Sequence, residues 1–356
     1  MNLDNVLKKK YLYQKKIFKD KFFLNYQKYL TRLHFKRCPE YNKLLKSKKI
    51  NISQIDHIKD IPYVPSKIFK DHELRSIKKK DIFKIMNSSG TTNNNLSNII
   101  LDKKTSRNQV KVLSNIVKSL IGKTRLPMII IDSTSILTNR NQFTARVAGI
   151  LGFRNFSTDA IFALDKNMKI DFKKIIEFID KYKNKKIIIF GFTYLIYQNF
   201  LKNLIKYKKK INLSKAIMIH GGGWKKLSNL NISNHEFKLK LKKYCNIDNV
   251  YNYYGMAEQA GSIYFECKKG NLHTSIYNDI LIRNKYDFTL SKVGESGIVQ
   301  VFSLIPESYP GHSILTEDEG VILGENNCGC GIKSKYFRII GRLKNSEIRG
   351  CSDTYK

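Results

Sequence analysis

Long apolar runs and cysteines are both scarce in this sequence. The longest apolar run, residues 187–197, covers eleven positions, well short of the roughly 18 to 20 residues that a membrane-spanning helix needs. Residues 1–16 lack the apolar stretch of a secretory signal peptide. Six cysteines in 356 residues are not the pattern of a disulfide framework, so we expect no membrane span and a reducing, cytoplasmic setting.

Acidic side chains are scarce as well. The chain has 29 Asp and Glu against 65 Lys and Arg, which gives a formal net charge of +36. A basic surface can bind nucleic acid by neutralising phosphates, but base readout favours arginine and only 12 of the basic residues are Arg. We therefore expect no nucleic-acid partner, and a non-catalytic basic binding protein is only a third alternative.

The chain has enough apolar material for a folded protein of about two domains. Hydrophobic residues make up 42% of the sequence and aromatic residues 12%. Short β-branched runs at 128–131, 187–190, 216–220 and 249–253 alternate with helix-period patterns, which indicates a parallel α/β sheet. After residue 255, short runs with glycine-rich joints, including 272–277, indicate a β-rich part.

These patterns divide the chain into four expected segments. Phe22, Tyr26 and Leu30 line one face of a helix, and they belong to a helical N-terminal segment. The four segments are the helical segment 1–85, an α/β nucleotide-binding core at 86–260, a β-rich subdomain at 261–342 and a short tail at 343–356.

One polar stretch carries the main chemical signal. Residues 87–95 read Asn-Ser-Ser-Gly-Thr-Thr-Asn-Asn-Asn. Small hydroxyl residues around a glycine allow backbone N–H and side-chain O–H groups to converge on one anion, as binding of a triphosphate requires. A plain polar turn has the same composition, so the stretch gains meaning only with other motifs.

Two further turns follow expected strands at their carboxyl ends, where open α/β sheets bind ligands. Residues 221–223 are three glycines, which leave a bare backbone against which a flat group could lie. Residues 254–258 read Tyr-Gly-Met-Ala-Glu and supply an aromatic face and a carboxylate. The histidine before the glycines, His220, is expected to be a hydrogen-bonded structural residue.

The order of these motifs resembles the adenylate-forming superfamily of acyl ligases. The resemblance extends to Leu-Thr-Glu-Asp at 315–318 and Gly-Arg-Leu-Lys at 341–344. The sequence is more closely similar to the long-chain fatty acid–protein ligases, the acyl-protein synthetase component of the fatty acid reductase that feeds bacterial luciferase. That similarity runs from about residue 60 to the end and is carried by residues 190–194, 220–226, 308–312 and 349–355.

The resemblance implies a fold, two cofactors and a set of site residues. The fold would be the large N-terminal domain of an adenylate-forming enzyme, a parallel α/β sheet plus a β-rich part, and the cofactors would be ATP and Mg²⁺. Glu258 would bind Mg²⁺, Tyr254 would stack on adenine and Asp318 would hold the ribose. Arg342, beside the nucleotide, is implied as a catalytic residue together with Glu258. The residues implied in nucleotide binding are Ser88, Ser89, Gly90, Thr91, Thr92, Gly221, Gly222, Gly223, Tyr254, Gly255 and Asp318.

Two departures from the superfamily pattern stand out. Asn93 occupies the position of the usual third glycine of the phosphate loop, and asparagine tolerates the left-handed backbone. Only 356 − 342 = 14 residues follow Arg342, so we expect the C-terminal domain of ordinary acyl ligases to be vestigial here and its catalytic lysine to be missing. This favours the short acyl-protein branch over a standard coenzyme A ligase.

The cysteine near the end of the chain is the thiol that matches the family motif. By resemblance, Cys351 would accept the acyl group before a reductase takes it. Arg349 would favour the reactive thiolate, whereas Asp353 on the same face of an extended segment would oppose it. The alternative interpretation is an inert cysteine in a frayed tail.

Four soft ligands suggest a metal site. Cys267 and His273 are followed by Cys328 and Cys330, and this set could close a tetrahedral structural Zn²⁺ site that joins two β-hairpins. The spacing is not that of a standard zinc finger. The alternative is a group of buried thiols and a surface histidine.

These observations lead to one hypothesis. The chain is an acid–thiol ligase that activates a long-chain fatty acid, or a similar carboxylic acid, to an acyl-adenylate and passes the acyl group to a protein cysteine. The expected partners are the fatty acid and an acyl-CoA-reductase-like or acyl-carrier protein. The alternative is a related ligase that loads coenzyme A or a carrier-protein thiol.

Overall fold

The computed structural model describes residues 3–7, 12–13, 16–88, 96–137, 144–222 and 232–343, with helices first, then alternating helices and strands, and then a run of strands. The α-helices are α1 Leu3–Leu7, α2 Lys16–Arg37, α3 Pro39–Ser47, α4 Ile68–Asp71, α5 Lys103–Ile121, α6 Ala145–Arg154, α7 Phe172–Lys181, α8 Thr193–Leu195, α9 Lys202–Lys206 and α10 Asn234–Cys245. The strands are β1 Val64–Pro65, β2 Lys84–Asn87, β3 Asn98–Leu101, β4 Leu126–Ser133, β5 Ser157–Leu164, β6 Ile187–Phe192, β7 Ala216–Gly221, β8 Asn249–Tyr254, β9 Tyr264–Glu266, β10 Leu272–His273, β11 Asn278–Arg283, β12 Ser296–Ser303, β13 Ser313–Glu325 and β14 Lys335–Arg342.

Shorter helical turns connect these elements. A π-helix, Ile196–Leu201, joins α8 to α9. The 3₁₀ turns are Ile52–Gln54, Ile58–Asp60, Lys79–Asp81, Thr134–Leu137 and Ala257–Gln259. Within the described ranges, none of the helices has the length and apolar character that crossing a bilayer requires.

The described residues form two compact units. Unit 1 takes those within 1–88, 92–119 and 255–347, and unit 2 takes those within 120–254. Unit 1 is therefore built from two parts of the chain that are far apart in sequence. The four-segment division expected from the sequence remains a prediction about how the chain is organised.

Unit 2 contains a parallel sheet in the order β8–β7–β6–β4–β5. Its inner strands are almost continuously apolar, as expected for strands that helices cover on both faces. Helix α7 shows how one such helix forms, because the Asp171 side chain accepts a hydrogen bond from the Lys174 N–H at its start. The helix then buries Ile175 and Phe178 in a core that includes residues of β4, β6 and β7.

The sequence patterns in this region are confirmed. All four β-branched runs lie in strands β4, β6, β7 and β8. Helix α10 begins with a capping box, since the Ser233 hydroxyl accepts from the Glu236 N–H at 3.1 Å and the Glu236 carboxylate accepts from the Ser233 N–H at 3.0 Å. Parallel strands place the ends of β7 and β8 at the same edge of the sheet, with Gly221 opposite Tyr253.

Unit 1 contains the β-rich part. Its strands follow the order β11–β12–β13–β14–β10–β9 with antiparallel pairing, and β1 adds to β13 in parallel. Strands β2 and β3 form a separate antiparallel pair. The expectation of a strand across 272–277 is only partly right, because pairing stops after His273. The Asn278 side chain accepts from the Ser275 N–H at 2.7 Å, and this bond stabilises a turn instead.

Helix α2 packs within unit 1 through the apolar face expected from the sequence. Phe22, Tyr26 and Leu30 are buried, and the same helix buries His34. The His34 Nε2–H donates to the Pro306 carbonyl at 3.1 Å, so its Nδ1 is left to accept from the Ser76 hydroxyl at 2.8 Å. Burial lowers the pKa of His34 to about 3, which keeps the ring neutral at pH 7.

Candidate functional site

A buried carboxylate is the central feature of the candidate site in unit 1. Glu258 lies on the 3₁₀ turn Ala257–Gln259 and is 7% exposed. Burial raises its pKa, and a hydrogen bond from Ser97 together with the positive charges of Lys70 and Arg342 partly opposes that rise. Glu258 is therefore a carboxylate in a setting that favours a cation.

The described residues on either side of positions 89–95 of the polar segment pair with each other. Ser88, the first of its implied phosphate-binding residues, follows β2 and pairs with Ser97 just before β3. The Ser88 N–H donates to the Ser97 carbonyl at 3.0 Å, and the Ser97 N–H donates to the Ser88 hydroxyl at 3.0 Å. The side chain of Ser97 also helps to lower the pKa of Glu258 against the effect of burial.

Two other expected site residues meet across a strand pair. Asp318 on β13 and Arg342 on β14 are register partners, and the Arg342 Nε lies 3.5 Å from the Asp318 carboxylate. The Arg342 Nη1 also donates to Glu317 at 3.2 Å, and Lys67 lies 3.5 Å from the other Glu317 oxygen. The β13–β14 pairing thus brings together two residues that are far apart in the chain.

In unit 2, Gly221 at the end of β7 and Gly222 after it have the bare backbone that the sequence suggests. A Cβ on Gly221 would lie 2.4 Å from the Tyr253 ring, and Gly222 has a φ of +88°, a region that glycine adopts without strain. The Thr193 hydroxyl donates to the Gly221 carbonyl at 3.0 Å and lies 2.9 Å from His220 Nδ1. This contact supports the expected structural role of His220, whose pKa burial lowers to about 3.

The remaining expected site residues divide between the two units and the parts of the chain that are not described. Tyr254 ends β8 in unit 2, and Gly255 starts the second part of unit 1. A Cβ on Gly255 would lie 2.8 Å from Ile263. Those that lie outside the described residues are Ser89, Gly90, Thr91, Thr92, Gly223 and Cys351.

The four soft ligands come together in unit 1. One ligand atom from each of Cys267, His273, Cys328 and Cys330 lies within 4.8 Å of all the others. The Sγ atoms of Cys267 and Cys328 are 3.7 Å apart, and the Cys330 Sγ lies 3.4 Å from His273 Nε2. Tetrahedral Zn²⁺ with Zn–S bonds of ~2.3 Å places two sulfur atoms about 3.8 Å apart, so these distances fit such a site.

Two tight turns present these ligands. The turn after β9 contains Gly270 with a φ of +78°, and the turn between β13 and β14 contains Gly329 and Gly331 with positive φ angles of 74° and 90°. Around the sulfur atoms, the Asn271 amide donates to Cys328 at 3.2 Å. The Ser334 hydroxyl lies 3.0 Å from His273 Nδ1, a contact that orients the ring so that Nε2 faces the thiols.

The comparison with known proteins now assigns the family. The family model described as "Acyl-protein synthetase, LuxE" matches residues 5–356. The chain belongs to this family. It is 24% identical over 335 residues to the long-chain-fatty-acid–luciferin-component ligase of Aliivibrio fischeri, a match that covers 90% of this chain and 84% of that protein. Membership of the acyl-protein synthetase family confirms the predictions of an acyl ligase enzyme and of its function class.

Solved structures confirm the predicted fold of this acyl-protein synthetase. Two structures of 2-hydroxyisobutyryl-CoA ligase, one in the thioesterification state and one in an open conformation, superpose with TM-scores of 0.74 and 0.73. Both are 14% identical in sequence and are matched by 95% of this chain, which covers 72% and 79% of their chains. Both of those structures hold 2-HIB-AMP and coenzyme A, and this chain shares their fold.

Sequence reasoning about this acyl-protein synthetase missed two residues at Glu258. One is Ser97, which follows the polar segment and has no signature of its own. The other is Tyr309, whose hydroxyl donates to the Glu258 carbonyl at 2.7 Å. Tyr309 lies in the stretch 308–312, which carried part of the family resemblance. That resemblance was the only signal in the sequence that could have identified Tyr309.

Proposed function

We propose that this chain uses ATP to activate a long-chain fatty acid, or a similar carboxylic acid, and transfers the acyl group to a protein cysteine. A carboxylate oxygen attacks the α-phosphorus of ATP, and the bond to pyrophosphate breaks as an acyl-adenylate forms. A thiolate then attacks the acyl carbon, AMP leaves with the electron pair of the broken C–O bond, and a thioester remains. Family membership and the name of the Aliivibrio fischeri relative support this chemistry.

The observation that carries the proposal is the buried carboxylate of Glu258, which is 7% exposed on a turn whose backbone accepts a hydrogen bond from the Tyr309 hydroxyl at 2.7 Å. Carboxylate oxygen is a ligand that Mg²⁺ prefers, and a carboxylate whose pKa burial raises gains from a cation at that position. When bound, Mg²⁺ supplies positive charge that stabilises the departing pyrophosphate. Glu258 would hold the ion, and Lys70 and Arg342 add positive charge near the same carboxylate.

The other nucleotide-binding roles are proposed by family resemblance. Asp318 would hold the ribose hydroxyls, and its contact with Arg342 supports a shared position on the β13–β14 pair. Tyr254 at the end of β8 would stack on adenine. Ser88, with the residues that follow it, would bind the phosphates through backbone and hydroxyl groups. The glycines after β7 and Gly255 complete the proposed nucleotide set.

Pyrophosphate release with a panel of carboxylic acids tests the first step. We expect release to depend on ATP, on Mg²⁺ and on a long-chain acid, and to fall at least about a hundredfold in Glu258→Gln, because the main source of developing-charge stabilisation is lost. Glu319→Gln is a matched control on β13, where Glu319 pairs with Lys285 at the surface. Unchanged release in Glu258→Gln would contradict the metal role.

The acceptor thiol is tested separately. With a labelled fatty acid and ATP, we expect a hydroxylamine-sensitive adduct that is absent in Cys351→Ser and present in Cys38→Ser. Label that persists in Cys351→Ser would exclude that thiol as the acceptor. If Cys351→Ser still transfers the acyl group to added coenzyme A or pantetheine thiols at the wild-type rate, the alternative ligase is favoured.

The expected partners follow from the same chemistry. A thioester on the chain must be consumed by a protein that takes acyl groups from a thiol, so we propose an acyl-CoA-reductase-like or acyl-carrier protein and no nucleic acid. A cytoplasmic setting remains our prediction. The five described cysteines are free thiols, which agrees with a reducing compartment.

The Cys/His group is proposed to hold a structural Zn²⁺ ion rather than a catalytic one. Three thiols and one imidazole fill a tetrahedral coordination shell, so no position is left for water or substrate. The Sγ–Sγ distance of 3.7 Å and the Sγ–Nε2 distance of 3.4 Å support this geometry. The ion would join the turn after β9 to the turn between β13 and β14.

A further inference from the structure

The loop that joins β11 to β12 in unit 1 presents large apolar side chains to solvent. Residues 285–290 and 292–296 of this loop are all exposed. Tyr286 is 92% exposed and Val293 is 65% exposed, and Phe288 and Leu290 are exposed as well. We call these four side chains the apolar tip. An exposed apolar cluster of this kind, within eight positions of the chain, is typical of an interaction site.

The backbone of this loop is held by hydrogen bonds of its own. The Asn284 N–H donates to the Thr289 carbonyl at 2.9 Å, and the Ser291 N–H donates to the Ile282 carbonyl at 2.9 Å. The Asp287 carboxylate accepts from both the N–H and the hydroxyl of Thr289. Because backbone groups that already have partners lose less when water leaves, this loop can enter a less polar medium at a low cost.

Arg283 fastens the loop to the rest of unit 1. Its Nη1 donates to the Phe288 carbonyl at 3.1 Å, and its Nη2 donates to the Lys59 carbonyl at 2.7 Å. Phe288 has a φ of +59°, a left-handed conformation that is strained for a bulky side chain and that asparagine or glycine adopts more readily. The loop therefore keeps an exposed phenylalanine at a conformational cost, as binding segments often do.

Positive charge lies beside the base of the loop. The Arg283 guanidinium lies over the Tyr63 ring, 5.3 Å from its centroid, and the Lys48 ammonium lies 5.1 Å from the same centroid. Lys46 and Lys49, next to Lys48 in the chain, are exposed. They belong to the first 85 residues, which carry 23 basic and 8 acidic side chains. This basic flank, together with the apolar tip, is complementary to an anionic lipid bilayer.

The area of the apolar tip favours a lipid surface over a protein partner. A fully exposed aromatic side chain offers roughly 150–250 Å², so the four partly exposed side chains together present a few hundred Å². A stable protein–protein interface needs about 800 Å² on each side. An exposed loop can enter a fluid headgroup layer without a matching pocket, and tyrosine is enriched at that depth.

We propose that the apolar tip inserts into the headgroup region of an anionic lipid bilayer while the basic flank contacts the lipid phosphates. This inference rests on the proposed function, because a long-chain fatty acid accumulates in bilayers, where its methylene groups leave water. The Asp287 carboxylate, which is charged at pH 7, keeps the loop out of the hydrocarbon core. The chain thereby meets its acid substrate at the surface where that acid is concentrated.

Co-sedimentation of the full chain with vesicles of equimolar phosphatidylcholine and phosphatidylglycerol tests this surface without turnover. We expect the wild type to bind, and Tyr286→Ser combined with Val293→Ser to bind at least about tenfold more weakly, because less apolar area leaves water. Tyr207→Ser is the matched control, since Tyr207 is 54% exposed and lies in unit 2; it should bind as the wild type does. In Tyr286→Trp, brominated lipids should quench fluorescence beyond the quenching of Trp224 in the wild type.

Three results would overturn the proposal. They are a wild type that does not bind these vesicles, equally strong binding in the double serine variant, and a wild-type dimer that dissociates in that variant, which would assign the tip to contacts between two copies of the chain. If the double variant does not fold, Phe288→Asn replaces it, because asparagine tolerates the left-handed backbone. Pyrophosphate release with a detergent-solubilised long-chain acid tests the proposed function separately, since that assay needs no bilayer.

Discussion

Removing the proposed zinc ion should destabilise unit 1 strongly. Its four ligands come from two stretches of the chain about 60 residues apart, the turn after β9 with His273 of β10 and the turn between β13 and β14, and sulfur atoms of the two stretches approach to 3.7 Å. An ion present at a thousandfold excess over its Kd stabilises the folded state by about 4 kcal/mol. For a unit of roughly 150 to 250 residues, each kcal/mol shifts Tm by about 2–4 °C. We therefore expect a loss of about 8–16 °C.

The assay combines metal content with calorimetry. The purified chain should contain one Zn²⁺ per molecule by elemental analysis, and a strong chelator should lower Tm by the amount given above. Cys267→Ser should lose the metal and show a similar drop. Cys38→Ser is the matched control, since Cys38 is 1% exposed and free but lies outside the ligand group. It should retain the metal.

Two results would refute the reasoning. A chain purified from zinc-supplemented cells without bound metal would show that the four side chains pack together but do not coordinate an ion. A Tm in Cys267→Ser that matches the Tm of Cys38→Ser, with metal retained in both, would show that the cluster contributes no more than any buried thiol. Either outcome favours the alternative of a packed thiol group.

Three further predictions concern stability. Because His34 and His220 have folded pKa values of about 3, they bind protons only after unfolding between pH ~6.5 and ~3. As pH decreases through this range, the free energy of unfolding should therefore decrease by about 1.4 kcal/mol per pH unit for each ring. Urea titrations of His34→Gln at several pH values should show a weaker dependence of that free energy on pH, and an unchanged dependence would contradict the prediction. Arg146→Met should lower the free energy of unfolding, measured with a denaturant, by about 3–5 kcal/mol, because it leaves the Asp132 carboxylate buried without the guanidinium that lies 2.6 Å from it. A decrease of less than ~1 kcal/mol would contradict this prediction. Gly221→Ala should lower Tm, since its Cβ would lie 2.4 Å from a tyrosine ring, and an unchanged Tm would show that the ring moves freely.

The sequence predicted the elements of unit 2 well because their signals are local. The alternation of β-branched runs with helix-period patterns over 128–254 reflects burial on one face of each helix and on both faces of each parallel strand. The Ser233 capping box also depends only on residues within one helical turn. Local chemistry of this kind can be identified from sequence without knowing which elements become neighbours.

The strand expected over 272–277 shows where local reasoning fails. The run is apolar enough for a strand, yet Ser275 and Asn278 exchange side-chain and backbone hydrogen bonds that favour a turn. Whether this run forms a strand or a turn is decided by its pairing with the neighbouring strands. Pairing between β10 and β14 covers Leu272 and His273 and then stops.

The sequence by itself determined the parallel α/β pattern, the order of the motifs and the set of four soft ligands. Only the tertiary structure decided that the Ser97 side chain influences the pKa of Glu258, that Asp318 pairs with Arg342, and that the cysteines of two separate turns approach within coordination distance. These contacts join residues that are 24 to 161 positions apart, and periodicity and spacing carry information only about near neighbours. The effect of Ser97 on Glu258 depends on how unit 1 brings together the two parts of the chain that flank unit 2, whereas the other two contacts depend on strand pairing and turns within residues 255–347.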